Sequence, residues 1–270
     1  MPLRSIVAIA LDGANLEAAL ASEADAILLN VADERVPPGE ARQHALDAIY
    51  KAAPTGKRVF VTVNHPRTRL LRDDLDALVC KPLSGVFLSY SNEPQDIRDL
   101  AVLLREFELS RDIEPGSISA YPVIATARGL LRAHDIAAAV PRDDGLVFDA
   151  EAYARDIGAR HEEVGHRLAY ARGAVVAAAR AQNGLPLISP MPVDPRDAAQ
   201  QGFAAAVVRS VSDVVVANIA FQPYAHRIER AREQLAAFDA ARAEGAWVAR
   251  HHGDLIDAHA AKKARQLLDG

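Results

Sequence analysis

The sequence holds a single cysteine, Cys80, in 270 residues. An intrachain disulfide and a cysteine-based zinc site are therefore both excluded, and a lone thiol fits a reducing cytoplasm. Positive charge is also short: the formal net charge is -5, without the basic stripe of a nucleic-acid binder. No apolar run approaches the ~20 residues of a membrane span. The opening run Ser5–Ala10 is too short for the apolar region and cleavage site of a signal peptide. No glycine-rich phosphate fingerprint follows that run, which weakens an open dinucleotide-binding fold. Low-complexity tracts and tandem repeats are absent. These gaps leave a soluble, cytoplasmic protein with neither nucleic acid nor membrane as partner.

What is present is alternation. Ile6–Ala10, Ala26–Val31, Val59–Val63, Gly85–Ser89, Ser119–Ala125, Leu146–Phe148, Leu187–Ser189 and Ala206–Arg209 read as strands, apolar on both faces as buried parallel strands are. Helical patterns separate them, at Leu16–Ser22, Gly39–Ala52, Leu70–Leu78, Gln95–Leu109, Leu130–Ala138, Glu163–Gln182 and Asp194–Gln201. Strict alternation predicts a parallel sheet with right-handed crossovers. Eight repeats in a chain near the ~250 residues of a (β/α)8 TIM barrel favour that closed form. The fold class is α/β, with the barrel over residues 1–221. Residues 222–270 form a C-terminal helical arm: a charged helix at Tyr224–Glu244, an extended stretch at Gly245–Asp257 and a last helix at Ala258–Leu268.

Barrel chemistry sits at the C-terminal ends of the strands. The polar residues there are Asn30, Asp33 and Glu34 after the second strand, and Thr62, Asn64 and His65 at the third. Tyr90 follows the fourth strand, Arg128 the fifth, Asp149 and Glu151 the sixth, Ser189 the seventh and Ser210 the eighth. His65 is a candidate general base, since histidine titrates near neutrality; a capping role is the alternative. Asp33 could pair with Glu34 in acid/base work or simply with Arg35 in a solvated loop. Tyr90 could donate to a carbonyl or pack at the rim. His251-His252-Gly253-Asp254, with Asp257 and His259, has ligand types suited to a transition metal. Adjacent histidines on an extended stretch point to opposite faces, however, which argues against a shared ion.

Several segments resemble the citrate lyase β-subunit-like proteins of the HpcH/HpaI aldolase family. They are Leu16 to Leu29, Ile124 to Leu131, Leu146 to Phe148 on through Asp156 to Gly158, Tyr170 to Arg172 through Leu187, and Gly253 to Ala258. The resemblance covers about Ser5 to Leu268 and implies the same barrel. It also implies carbon–carbon cleavage or formation beside a carbonyl, usually in an acyl-CoA, with Mg²⁺ polarising the carbonyl. Hard Mg²⁺ takes carboxylate oxygens. The family draws these from a Glu in Glu-Thr-Ala-Arg-Gly and an Asp in Gly-Ala-Glu-Asp, positions that match Ala125 and Ala152 here.

Other family positions are replaced too. The strand-three Arg that clamps a carboxylate matches Thr62, a CoA-site Lys matches Ala206, and the strand-eight Ile-His-Pro matches Arg209-Ser210-Val211. A hydroxyl cannot stand in for a guanidinium fork. Asp257 matches the terminal Asp that a neighbouring subunit offers to the site, which implies a homo-oligomer, a trimer foremost.

Three readings follow. The chain has lost the Mg/CoA reaction and is a non-catalytic or small-molecule-binding relative, with no cofactor and with a carboxylate or carbonyl compound as partner. Alternatively it is a repurposed metal-independent enzyme, with Asp257, Asp33, His65 and Tyr90 as catalytic candidates and Asn30, Thr62, Asn64, Arg128, Ser189 and Ser210 binding substrate. Or it remains a Mg-dependent lyase with Glu151 or Asp149 as an unusual ligand.

Overall fold

The computed structural model describes residues 3–10, 15–33, 35–140, 144–159, 168–190, 194–222 and 225–269. The β-branched runs become β1 (Ser5–Ile9), β2 (Ala26–Asn30), β3 (Arg58–Val63), β4 (Gly85–Leu88), β5 (Ser119–Ile124), β6 (Gly145–Asp149), β7 (Leu185–Ser189) and β8 (Ala205–Val208). All pair in parallel and in sequence order, and β1 pairs with β8 to close the barrel. The expected fold class is the observed one.

The pleat sorts these strands into two layers. Val59, Val61 and Val63 belong to the large outer core, as do Val86, Leu88, Ile124, Phe148 and Ile188, packed among helix residues such as Ile49, Leu75, Leu100, Ile136 and Val175. The alternate residues face the interior. There Phe60, Phe87 and Tyr121, on three successive strands, stack with ring centroids 5.4 to 5.8 Å apart. Such aromatic pairs add roughly 1 kcal/mol each beyond their buried area. Alternation places Asn30, Thr62, Ala125, Asp149, Ser189 and Arg209 on this inner face, at or beyond the C-terminal strand ends.

The helices covering the barrel are α1 (Leu16–Ala21), α2 (Pro38–Ala52), α3 (Leu71–Leu78), α4 (Pro94–Ser110), α5 (Ala127–Leu131), α6 (Ala133–Ala139), α7 (Ala150–Asp156), α8 (Ala169–Ala181), α9 (Pro195–Gln200) and α10 (Val214–Ala220). Two depart from the sequence reading. The single helix expected over Leu130–Ala138 is two, α5 and α6, meeting at Arg132. Helix α7 was not anticipated; it starts directly at the end of β6, capped by Asp149, whose Oδ1 accepts from Ala152 N at 2.9 Å. The start of the helix expected from Glu163 lies outside the described residues.

The chain divides into two compact units, Arg4–Phe221 and a second made of Gln222–Gly270 together with Met1–Leu3. The second contains α11 (Ala225–Ala243), a hairpin of β9 (Ala249–His251) and β10 (Asp254–Ile256), and α12 (Ala258–Asp269). Its small core is Phe238, Ala249, Ile256 and Ala261. The stretch read as merely extended is thus a two-stranded hairpin.

Candidate active site

At the end of β3 the backbone is held by a buried carboxylate. Asp74 of α3, fully buried, accepts from Asn64 N at 2.9 Å and Asn64 Nδ2 at 2.8 Å, and its other oxygen accepts from Arg42 Nε of α2 at 2.8 Å. The Asn64 amide is therefore committed to the scaffold. His65, next along, accepts from Arg67 N through Nδ1 at 3.2 Å and caps the 3-10 turn Pro66–Thr68. That bond puts the ring proton on Nε2, which sits 3.2 Å from Asp96 Oδ2 without the alignment of a hydrogen bond. The capping alternative describes the geometry of His65.

Asp96 in turn accepts from Asn92 N and Glu93 N at 2.9 and 3.0 Å, within the capping box that opens α4. Glu93, at that same helix start, gathers arginines from two other loops. Arg128 and Arg132 each lie 3.5 Å from its Oε2, and Arg67 pairs with its Oε1. One carboxylate, from the segment after β4, thus faces three guanidinium groups from the segments after β3 and β5. The side chains of Arg67 and Arg128 are more than half exposed and that of Arg132 is 46% exposed, so three guanidinium groups on this side of the mouth are open to solvent.

The opposite side is built on β6 to β8. Asp149 lies beside Ser189 in register. Burial pushes the Asp149 carboxyl above the usual carboxylate range, against the pull of the Ala152 N–H and of Arg155. Glu151 is ion-paired with Arg209 at 2.5 Å. Ala125 and Ala152 are both buried, so neither methyl group reaches solvent. Ala206 is fully buried in the outer core, away from the inner face. A side chain at position 206 therefore points into the helix layer and not into the barrel interior.

The remaining candidates are scattered. Asn30 turns back to accept from Ala32 N at 3.1 Å. Thr62 is half-buried on the inner face, in register with Asn30. Asp33 is clasped by Arg35 at 2.5 and 2.9 Å, which holds its carboxyl below the ordinary range. Its proposed companion Glu34 lies outside the described residues. Tyr90 is half exposed, at a backbone φ of 51°. Ser210 accepts from Ser212 N at 3.2 Å. Asp257 lies in the second unit, where it caps α12: its Oδ1 accepts from Ala260 N at 2.8 Å, and that bond lowers its carboxyl.

Sequence reading overlooked Arg67, Glu93 and Arg132. No motif joins them, because the fold brings together positions 26 and 39 residues from Glu93.

The family model described as HpcH/HpaI aldolase/citrate lyase matches residues 10–213. The chain belongs to that family. A citrate lyase subunit beta-like protein of Deinococcus radiodurans is 29% identical, over 98% of this chain and 96% of its own. A (3S)-malyl-CoA thioesterase of Cereibacter sphaeroides is 27% identical, over 94% and 88%. The CitE protein of Mycobacterium tuberculosis, solved with magnesium, acetoacetate and coenzyme A, has the same fold. It is 23% identical with a TM-score of 0.63, over 99% of this chain and 97% of that one.

Magnesium in this family raises the question of which oxygens here would take it. Among the described mouth residues, Glu151 is ion-paired with Arg209, and Asp149 Oδ1 is taken up as the cap of α7. A hard dication needs ionised, converging oxygens. These two side chains do not fit it. Among the described residues, none of Ala125, Thr62 and Ala152 offers a carboxylate.

Proposed function

We propose that this barrel is a member of the HpcH/HpaI aldolase/citrate lyase family that no longer performs the magnesium-dependent carbon–carbon cleavage. It instead binds a small carboxylate or carbonyl compound without a metal. The observation that carries the reading is the commitment of the mouth carboxylates, Glu151 to Arg209 and Asp149 to its helix cap, where the family positions hold Ala125 and Ala152. The surplus of guanidinium groups around Glu93 supports an anionic ligand, because arginine forks match carboxylates bidentately.

Purified full-length protein is expected to leave malyl-CoA and citramalyl-CoA intact with Mg²⁺ present. Calorimetry is expected to detect no Mg²⁺ binding at the mouth, with or without pyruvate. Oxaloacetate is expected to bind in the absence of metal, about tenfold more weakly in Arg128→Ala, the loss of one charge-assisted contact of roughly 1.4 kcal/mol. Cleavage at ordinary enzyme rates, on the order of 1 s⁻¹ or faster, would overturn the proposal.

Cytoplasmic residence belongs to the same proposal, supported by Cys80 as the only thiol. No helix among the described residues is long and apolar enough to cross a membrane. We also propose a homo-oligomer, a trimer in which Asp257 serves a neighbouring barrel. Exposed Val215, Val216 and Ile219 on α10, and Trp247 and Leu255 in the second unit, support association. Light scattering is expected to give the mass of three chains; a monomer mass would reject assembly.

A further inference from the structure

The hairpin of the second unit corrects the expectation that its adjacent histidines point apart. His252 and Gly253 form the two-residue turn between β9 and β10, with φ of 47° and 88°. Positive φ at both central positions is the signature of the tight hairpin turn usually made by Asn-Gly or Asp-Gly. Here it swings the His252 ring back over the His251 ring, with centroids 4.2 Å apart. Both imidazoles then face one carboxylate of α11. His251 Nε2 lies 3.1 Å from Glu233 Oε2, and His252 Nε2 lies 3.9 Å from the same oxygen. One ligand atom from each residue can be chosen so that all three lie within 4.8 Å of one another.

We propose that Glu233, His251 and His252 form a surface site for a divalent transition-metal ion of the zinc type. Two imidazoles and one carboxylate are the ligand set that Zn²⁺ takes where a fourth position is left to water. Bonds of about 2.0–2.2 Å in a tetrahedral arrangement set ligand atoms roughly 3.3–3.5 Å apart. The two separations from Glu233 bracket that span, and the ligand atoms of the two imidazoles lie within 4.8 Å of each other, so side-chain rotation alone would close the set around an ion. The neighbouring charges are already matched: Arg230, one turn before Glu233, is paired with Asp254 across the hairpin from His251. Asp254 is thereby kept from the ligand set, and Arg230 from opposing the cation.

A plain tie between hairpin and helix would be satisfied by His251 and Glu233 alone. His252 adds nothing to such a tie. Its side chain is 75% exposed, yet it shares the same oxygen. A second imidazole at that position is what chelation requires. Neither Asp257 nor His259, the other members of the cluster seen in the sequence, is among these ligands: Asp257 is occupied as a helix cap.

The test is calorimetric titration of chelator-stripped, full-length protein with Zn²⁺, alongside three variants. The expected result is one saturable ion per chain, held at least tenfold more weakly in His252→Ala and in Glu233→Gln and unchanged in His259→Ala. His252 is exposed, so its variant is expected to keep the parent's circular dichroism and melting temperature without metal, which separates lost ligation from lost folding. Absence of saturable binding would overturn the site, as would equal affinity in the parent and in the His251→Ala/His252→Ala double variant.

Discussion

Gly145→Ala is expected to destabilise the barrel by more than about 4 kcal/mol, at the extreme of single substitutions. Gly145 opens β6 with a φ of 134°, which L side chains rarely adopt, and a methyl group there would lie 2.0 Å from Leu185 O and 2.5 Å from Leu185 N. Those atoms are the backbone of β7, directly in register with Gly145. They cannot rotate away as a side chain would. Gly184, on the other side of the contact, is also crowded, though less so: its own added carbon would fall 2.7 Å from Gly145 Cα. Two glycines thus let β6 and β7 begin in close apposition. Gly158→Ala supplies the comparison. Its φ is 68°, but nothing lies within 4 Å, so its cost is about 1 kcal/mol of backbone strain alone. Chemical denaturation of the two variants should separate them widely. A Gly145→Ala midpoint close to that of Gly158→Ala would mean the strands can part, contrary to the argument.

The strands were legible because a buried parallel strand needs apolar residues on both faces, and short β-branched runs bounded by turn residues satisfy that requirement. All eight matched to within one or two residues at each end. The helices were less legible where composition disguised them. Helix α10 is Val-Val-Val-Ala-Asn-Ile-Ala, and β-branched residues carry a weak helix propensity; burial of Val214 and Ala217 decides the conformation, not propensity. Helix α7 hid behind the strand whose last residue caps it. At the mouth, the positions could be named from the sequence but their pairings could not. Thr62 and Ala125 were named at the strand ends by the family resemblance, and it is the pleat of β3 and β5 that puts both on the inner face. That Glu151 meets Arg209, 58 residues on, or that three arginines converge on Glu93, depends on loops whose paths no local pattern specifies. The clustering of His252 with His251 was missed for a different reason: alternation holds in a strand, and His252 lies in the turn beyond it.

Asp74→Ala is expected to cost roughly 3–5 kcal/mol, the range for removing one partner of a buried charge pair. The carboxylate is fully enclosed, and each of its oxygens receives hydrogen bonds, Oδ1 from Arg42 and Oδ2 from both donors of Asn64. Truncation leaves a largely buried guanidinium and a backbone N–H without their acceptor. Asp74→Asn keeps the shape, but whichever way the amide is turned, its NH₂ group meets donors, so at least half of the loss should persist. Replacing both charges, as in Arg42→Met/Asp74→Leu, is expected to be milder than Asp74→Ala, because no orphaned charge remains. Urea midpoints with unchanged slopes would report all three. The effect should also reach the mouth: Asn64 and the His65 turn take their positions from Asp74, and Arg67, which meets Glu93, lies on that turn. A folded Asp74→Asn protein should therefore bind a carboxylate ligand more weakly than the parent, although residue 74 itself is buried beneath the mouth. Parent stability in Asp74→Ala would show that water replaces the lost acceptor, and the anchoring role would fall with it.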